Sequence, residues 1–193
     1  MSFLSTPPVS PAAQLLFDSD VEELGYVMNA SRLWSYQAET RARIFDLLRE
    51  EIALCGLSMR ERSIVVTAGV SALGDAYCSL AWGSRLAVAS DADLAAGVLR
   101  GDDGGLTDRE RALAHWARAV MRRPHETTES DVAALSAAGY TDEQIFGLTV
   151  FIALRLAFST VNNALGARPD AQYRANAPAA VLDAVTYGRP ISD

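Results

Sequence analysis

Apolar positions recur along the chain at three- and four-residue intervals, the spacing that lays them on one face of an α-helix. Hydroxyl-led turns punctuate this pattern. Ser58-Met59-Arg60-Glu61, Thr107-Asp108-Arg109-Glu110 and Thr141-Asp142-Glu143-Gln144 fit the capping box, in which a hydroxyl and a carboxylate or amide satisfy backbone N–H groups at a helix start. Thr128-Glu129-Ser130-Asp131 is a looser fourth. Each precedes a segment with helical apolar spacing. The pattern predicts an extended or poorly ordered arm over 1–18. Helices follow over 19–33, 37–55, 59–73, 75–89, 91–100, 108–122, 129–138 and 142–166, with one short helix near 178–186. Gly56 stops the second helix, and Gly101-Asp102-Asp103-Gly104-Gly105 is the clearest loop.

One segment is ambiguous by pattern. Ile64-Val65-Val66-Thr67 is β-branched and would pass for a buried strand. The capping box before it and the alanine-rich continuation favour a buried helix, where β-branching costs little. A short internal echo is also present. Leu57-Ser58-Met59-Arg60-Glu61-Arg62 matches Leu106-Thr107-Asp108-Arg109-Glu110-Arg111, 49 residues on. The match ends after one turn and reads as two capping boxes with exposed arginines.

Composition narrows the class. A chain of 193 residues, half of them apolar, supplies one domain with a sizeable core. The arm 1–18, an all-α domain over 19–170 and a tail over 171–193 follow from the helix map. Seventeen basic against 24 acidic residues give a net charge of −7. Such a surface repels phosphate backbones and anionic bilayers, so neither nucleic acid nor membrane is an expected partner. The apolar run Leu148 to Ala157 is too short to span a bilayer and contains Arg155. The N-terminus has three prolines and no basic region, unlike a signal peptide. Two cysteines make no disulfide scaffold, and a reduced cytoplasmic setting is the expectation.

Chemistry-bearing residues are sparse. His115 and His125 have no metal-ligand spacing, so no metal is expected. His115 reads as a packing residue in mid-helix, and His125 as solvated. No phosphate loop, flavin or nicotinamide signature is present, so no bound cofactor is predicted. Cys55 closes a helix and reads as a small hydrophobe. Cys78 falls in the first turn of a helix that begins near Asp75, where the helix dipole lowers a thiol pKa and the carboxylate opposes it.

The stretch Leu57 to Ser90 resembles the core of the alkylhydroperoxidase D-like (carboxymuconolactone decarboxylase) superfamily. Its flanks resemble the peroxidase-related branch, through Val21-Glu22-Glu23-Leu24, Met28 to Trp34, Leu106 to Leu113, Ala138 to Ile145 and Asn162-Asn163-Ala164-Leu165-Gly166. The resemblance covers roughly residues 20–170, with residues 57–90 as its core. It implies an alkylhydroperoxidase D-like helical bundle with an N-terminal helical extension, commonly homo-oligomeric. It also implies peroxiredoxin-type antioxidant activity from a Glu, a Cys-x-x-Cys and a His.

Laid on this chain, the second family cysteine is Cys78. The first falls on Asp75, the histidine on Trp82 and the glutamate on Ser63. A reactive thiolate needs a resolving thiol to capture its sulfenic acid. Asp75 cannot supply one, Trp82 cannot relay a proton, and Ser63 is a poor base. Three readings remain open. Cys78 acts alone on a hydroperoxide, resolved by an external thiol reductant or by Cys55. Alternatively, the pocket does non-redox, decarboxylase-like chemistry on a small organic acid or lactone, with Asp75, Cys78 and Tyr77 as its polar groups and Trp82 as a wall. In the third, the chain is a non-catalytic oligomeric ligand-binding protein. Each of Asp75, Ser63 and Trp82 also has a purely structural use, as a helix cap, a helix contact and a core residue.

Overall fold

The structure is a computed structural model and describes residues 2–193, among which every regular element is helical. Its centre is α4 (Met59–Ala72). Ser58 and Glu61 form the expected capping box, with Glu61 N–H donating to Ser58 Oγ at 3.2 Å and Ser58 N–H to Glu61 Oε2 at 2.9 Å. The run Ser63 to Val70 is buried without a break. A helix apolar all round is one that is surrounded, which is why this strand-like stretch sits as a helix. Around it pack α5 (Ala76–Ala89), α6 (Ala92–Arg100), α7 (Asp108–Arg122) and α9 (Asp142–Ala164). Gly69 lets α4 and α7 close on each other: a Cβ there would lie 2.6 Å from Met121 Sδ. Outside this group, α3 (Ala38–Cys55) lies along α9 and α8 (Glu129–Ala137) bridges α7 and α9.

The N-terminal region departs from the pattern. Residues 11–24 are helix α1 (Pro11–Leu24), where an extended arm is expected through residue 18. Ser10 caps it, accepting from Ala13 N–H at 3.2 Å, and Pro11 occupies the first helical position. Serine followed by proline is a helix start, a signal outweighed when the prolines are read as disorder. The single helix expected over 19–33 is also broken. Gly25 adopts φ +82°, the left-handed region, and ends α1. The chain restarts as α2 (Asn29–Trp34), whose own N-cap makes no side-chain hydrogen bond. Tertiary partners replace it: Asn29 N–H donates to Asp170 Oδ1 at 2.6 Å and Ala30 N–H to Tyr77 Oη at 3.2 Å.

The tail folds back onto the bundle. It holds α10 (Tyr173–Asn176) and α11 (Ala179–Ala184), and α11 buries Val181 and Ala184 against α5 and α6. Tyr187 Oη donates to Ser79 Oγ at 3.0 Å, pinning the chain end to α5. By length and composition α9 could cross a bilayer, since its 23 residues exceed the apolar run Leu148 to Ala157. Here it is a core helix with Arg155, Ser159 and Asn162 buried along it.

The internal echo is more than two separate caps. The start of α4 lies beside the start of α7, and each arginine crosses to the other helix. Arg60 Nε donates to Glu110 Oε1 at 2.6 Å, and Arg109 Nε donates to Glu61 Oε1 at 2.8 Å. Each glutamate therefore closes its own capping box and holds the neighbouring helix. Burial pushes both carboxyls up, but hydrogen bonds from Arg109 and Ser58 to Glu61, and from Arg60 and Thr107 to Glu110, outweigh it, so both titrate below the ordinary range. Glu110→Ala is expected to cost about 2 kcal/mol, since it removes a cap partner and strands Arg60. Urea unfolding checks this. A folded pKa below the unfolded one means the clasp contributes fully above the unfolded value near about pH 4.3 and is lost as pH falls through the folded values. The variant is therefore expected to have the shallower acid limb in its stability profile.

Candidate active site

Asp75 begins α5. Its Oδ1 accepts the Cys78 N–H at 3.1 Å, while Oδ2 is buried without a hydrogen-bond partner. This cap fixes Cys78 in the first turn, where the thiol accepts a hydrogen bond from Ser159 Oγ at 3.5 Å. Cys78 is 2% exposed. Its pKa is pushed up to about 12, first by burial and then by the Asp75 carboxylate, with Arg155 and Ser159 pulling back. At neutral pH such a thiol keeps its proton. Burial and Asp75 thus outweigh the helix dipole at this position.

Cys55 is remote from this thiol. Its Sγ donates to Gln144 O at 3.3 Å, near the start of α9, whereas Cys78 meets Ser159 near the end. Fifteen residues of helix separate the two contacts, about 22 Å at the usual rise. A disulfide needs Cα atoms within about 7 Å, so Cys55 cannot resolve Cys78 within one chain. Both cysteines are free.

Cys78 and Trp82 line a cavity of about 330 Å³. Asp75 and Ser63 do not line it. Both are fully buried beside it, and Ser63 Oγ has no hydrogen-bond partner. Tyr77 reaches the cavity, but its hydroxyl is committed to structure, donating to Asp170 Oδ2 at 2.6 Å. Asn162 ties α9 to α2 by accepting from Trp34 Nε1 at 2.8 Å. His115 lies outside the core: it is exposed on α7 and bonded to Asp131 Oδ1 at 2.8 Å. Loop residue His125 is exposed too. Among the described residues no three His, Cys, Asp or Glu side chains gather as a metal site would require.

The residues that dominate the cavity are arginines, which the sequence reading missed. Arg41 from α3, Arg62 from α4, Arg85 from α5 and Arg155 from α9 face it, against only Asp20 and Glu23 from α1. Aromatic rings hold the guanidinium planes. Arg62 and Arg155 each lie 5.0 Å from the Trp82 ring centroid, Arg85 lies 5.2 Å from it, and Arg41 lies 4.3 Å from that of Phe45. Stacking uses the face of a guanidinium and leaves its N–H edge free. The Nε atoms of Arg41, Arg62 and Arg155 are buried with no hydrogen-bond partner. Burial is the largest influence on all three and pushes their pKa values down, and for Arg62 the neighbouring arginines push the same way. Arginine stays charged in proteins, so four cations face this cavity against the carboxylates of Asp20 and Glu23, with the buried Asp75 also acting on Arg155. The one signal in the sequence was Arg155, a lone charge within the apolar run of α9.

Comparison with solved structures places this architecture. The chain has the alkylhydroperoxidase AhpD-like helical fold. An uncharacterized peroxidase-related protein from Ralstonia eutropha JMP134, described as an AhpD core, superposes with a TM-score of 0.76 at 24% identity, covering 89% of this chain and 94% of that one. A second peroxidase-related protein, from Silicibacter sp. TM1040, gives 0.76 at 21% identity, over 91% and 95%. The debrominase Bmp8, in a cysteine-to-alanine variant bound to 2,3,4-tribromopyrrole, gives 0.73 at 16% identity, over 96% and 100%. No family model and no curated protein matches the sequence.

Proposed function

We propose that this chain is a peroxidase-related, alkylhydroperoxidase D-like protein whose pocket recognises a small organic acid in place of running two-thiol peroxide reduction. One observation carries the reading: four arginines, the buried Arg155, the half-buried Arg41 and Arg62 and the more exposed Arg85, line the cavity floored by Cys78, against the carboxylates of Asp20 and Glu23. A carboxylate entering there meets an excess of positive charge and guanidinium donors able to form charge-assisted hydrogen bonds. The cavity has the volume of about ten water molecules, room for a small ring or short chain beside the carboxylate. That a debrominase of this fold holds a brominated pyrrole agrees with a pocket for small organic molecules. A protonated thiol with no resolving partner in reach argues against peroxide as the substrate. The one-cysteine peroxidase is the second reading, favoured by the Ser159 hydroxyl and the Arg155 charge, both of which stabilise a thiolate.

Two measurements on the purified protein separate them. The first is sulfenic-acid trapping at Cys78 with an organic hydroperoxide, against a denatured control. The second is thermal stabilisation by benzoate and butyrate, read through mass-action linkage. The expected result is stabilisation by the acids and no oxidation of Cys78 beyond the denatured rate. Fast, fold-dependent oxidation without any stabilisation would overturn the organic-acid reading.

A further inference from the structure

A second hollow, of about 700 Å³, lies along α5 beyond the arginine cavity. Its walls are mostly apolar and include Leu24, Tyr26, Val88 and Tyr173. The two hollows adjoin: Glu23, Met28, Met59, Ala81 and Arg85 line both. Cys78, Ala81, Trp82, Arg85, Val88 and Ala89 recur at helical spacing, so one face of α5 forms a track from the thiol to the groove. From Cys78 to Val88 the track is about 15 Å long. Its inner end is cationic and its outer end apolar, with Val88 89% exposed and Met59 58% exposed. Glu23 and Arg85 pair at 3.8 Å between the two, a loose and mostly solvated contact.

We infer that the ligand is an amphipathic carboxylate, its head among Arg41, Arg62 and Arg155 and its alkyl chain of roughly ten carbons lying along α5 past Arg85 into the groove. This rests on the organic-acid reading and gives it a chain-length preference. The arginine cluster fixes which end enters first. The shared lining residues fix where the rest must go. A chain lying over Val88 and Met59 covers apolar surface that is otherwise exposed to water.

Calorimetric titration with butyrate, decanoate and decanol on the wild type and on Val88→Asp tests it. Val88 is outside the arginine cavity and its exposure makes the variant safe for folding. Decanoate is expected to bind at least about 30-fold tighter than butyrate, through methylene burial. Decanol, which lacks the charge, is expected to bind more weakly than decanoate. Val88→Asp is expected to remove most of the decanoate advantage and leave butyrate unchanged. If butyrate and decanoate bind equally, the chain-length inference falls and the organic-acid reading stands. If no acid binds, both fall. If Val88→Asp dissociates an oligomer in sedimentation, the groove is a contact between copies of this chain and the inference is overturned.

Discussion

Replacing Arg155 with methionine is expected to abolish the binding of organic acids and to lower the melting temperature of the free protein. The guanidinium is 3% exposed, and Trp82 and Phe158 hold its plane. Arg85 adds like charge, while the fully buried Asp75 carboxylate acts as its counter-charge. Methionine fills similar volume but leaves that carboxylate buried without its cation. Removing one partner of a buried charge pair costs about 3 kcal/mol, which for a chain of this length is roughly 6–12 °C. The carboxylate site also loses its deepest cation. Scanning calorimetry with and without a saturating acid reads both effects at once. The variant is expected to melt below the free wild type and to show no shift with ligand. A ligand-dependent shift of wild-type size in the variant would remove Arg155 from the anion site.

Asp75→Asn is expected to speed alkylation of Cys78 by about tenfold or more at fixed pH between 8 and 9, since a like charge at this range raises a pKa by about 1–2 units. Asparagine keeps the acceptor for the Cys78 N–H, so the helix cap survives the change. The carboxylate charge goes, and with it the second largest cause of the raised thiol pKa. The sign is fixed: Asp75 holds the proton on sulfur, so its loss moves the thiol pKa down and shifts the pH–rate curve to lower pH. Burial remains, so the thiol still titrates above an ordinary cysteine. Measuring rates with a small alkylating reagent across pH, with Cys55→Ser as background, isolates the effect. An unchanged profile would mean that burial alone silences Cys78.

Most helices were legible because their starts are written locally. Ser58, Thr107 and Thr141 announce caps within four residues, and the structure forms each one. The first helix was misplaced because Ser10-Pro11 starts a helix amid prolines, and Gly25 divides a stretch whose apolar spacing runs through it. The cavity was less legible than the fold. Cys78 and Trp82 share one helix face, so spacing finds them together. Arg41, Arg62 and Arg155 come from three helices far apart in the chain, and no local spacing predicts that they converge. Arg155 stood out in its apolar run, but its meaning depends on Trp82 and Phe158 facing it, a tertiary fact. Asp75 and Ser63, next to the key residues in sequence, turn into the packed interior.

The paired starts of α4 and α7 also bear on how the chain finds its fold. The first turn of a helix is where it frays, because its amides have no partner within the helix. Here each first turn is latched by a residue from the other, through Arg60 to Glu110 and Arg109 to Glu61. Neither latch can close until both helices exist and lie side by side, so fraying at one end is coupled to fraying at the other. Native-state hydrogen exchange should therefore find the amides of Glu61 and Glu110 opening together as one unit, although 49 residues of chain separate them.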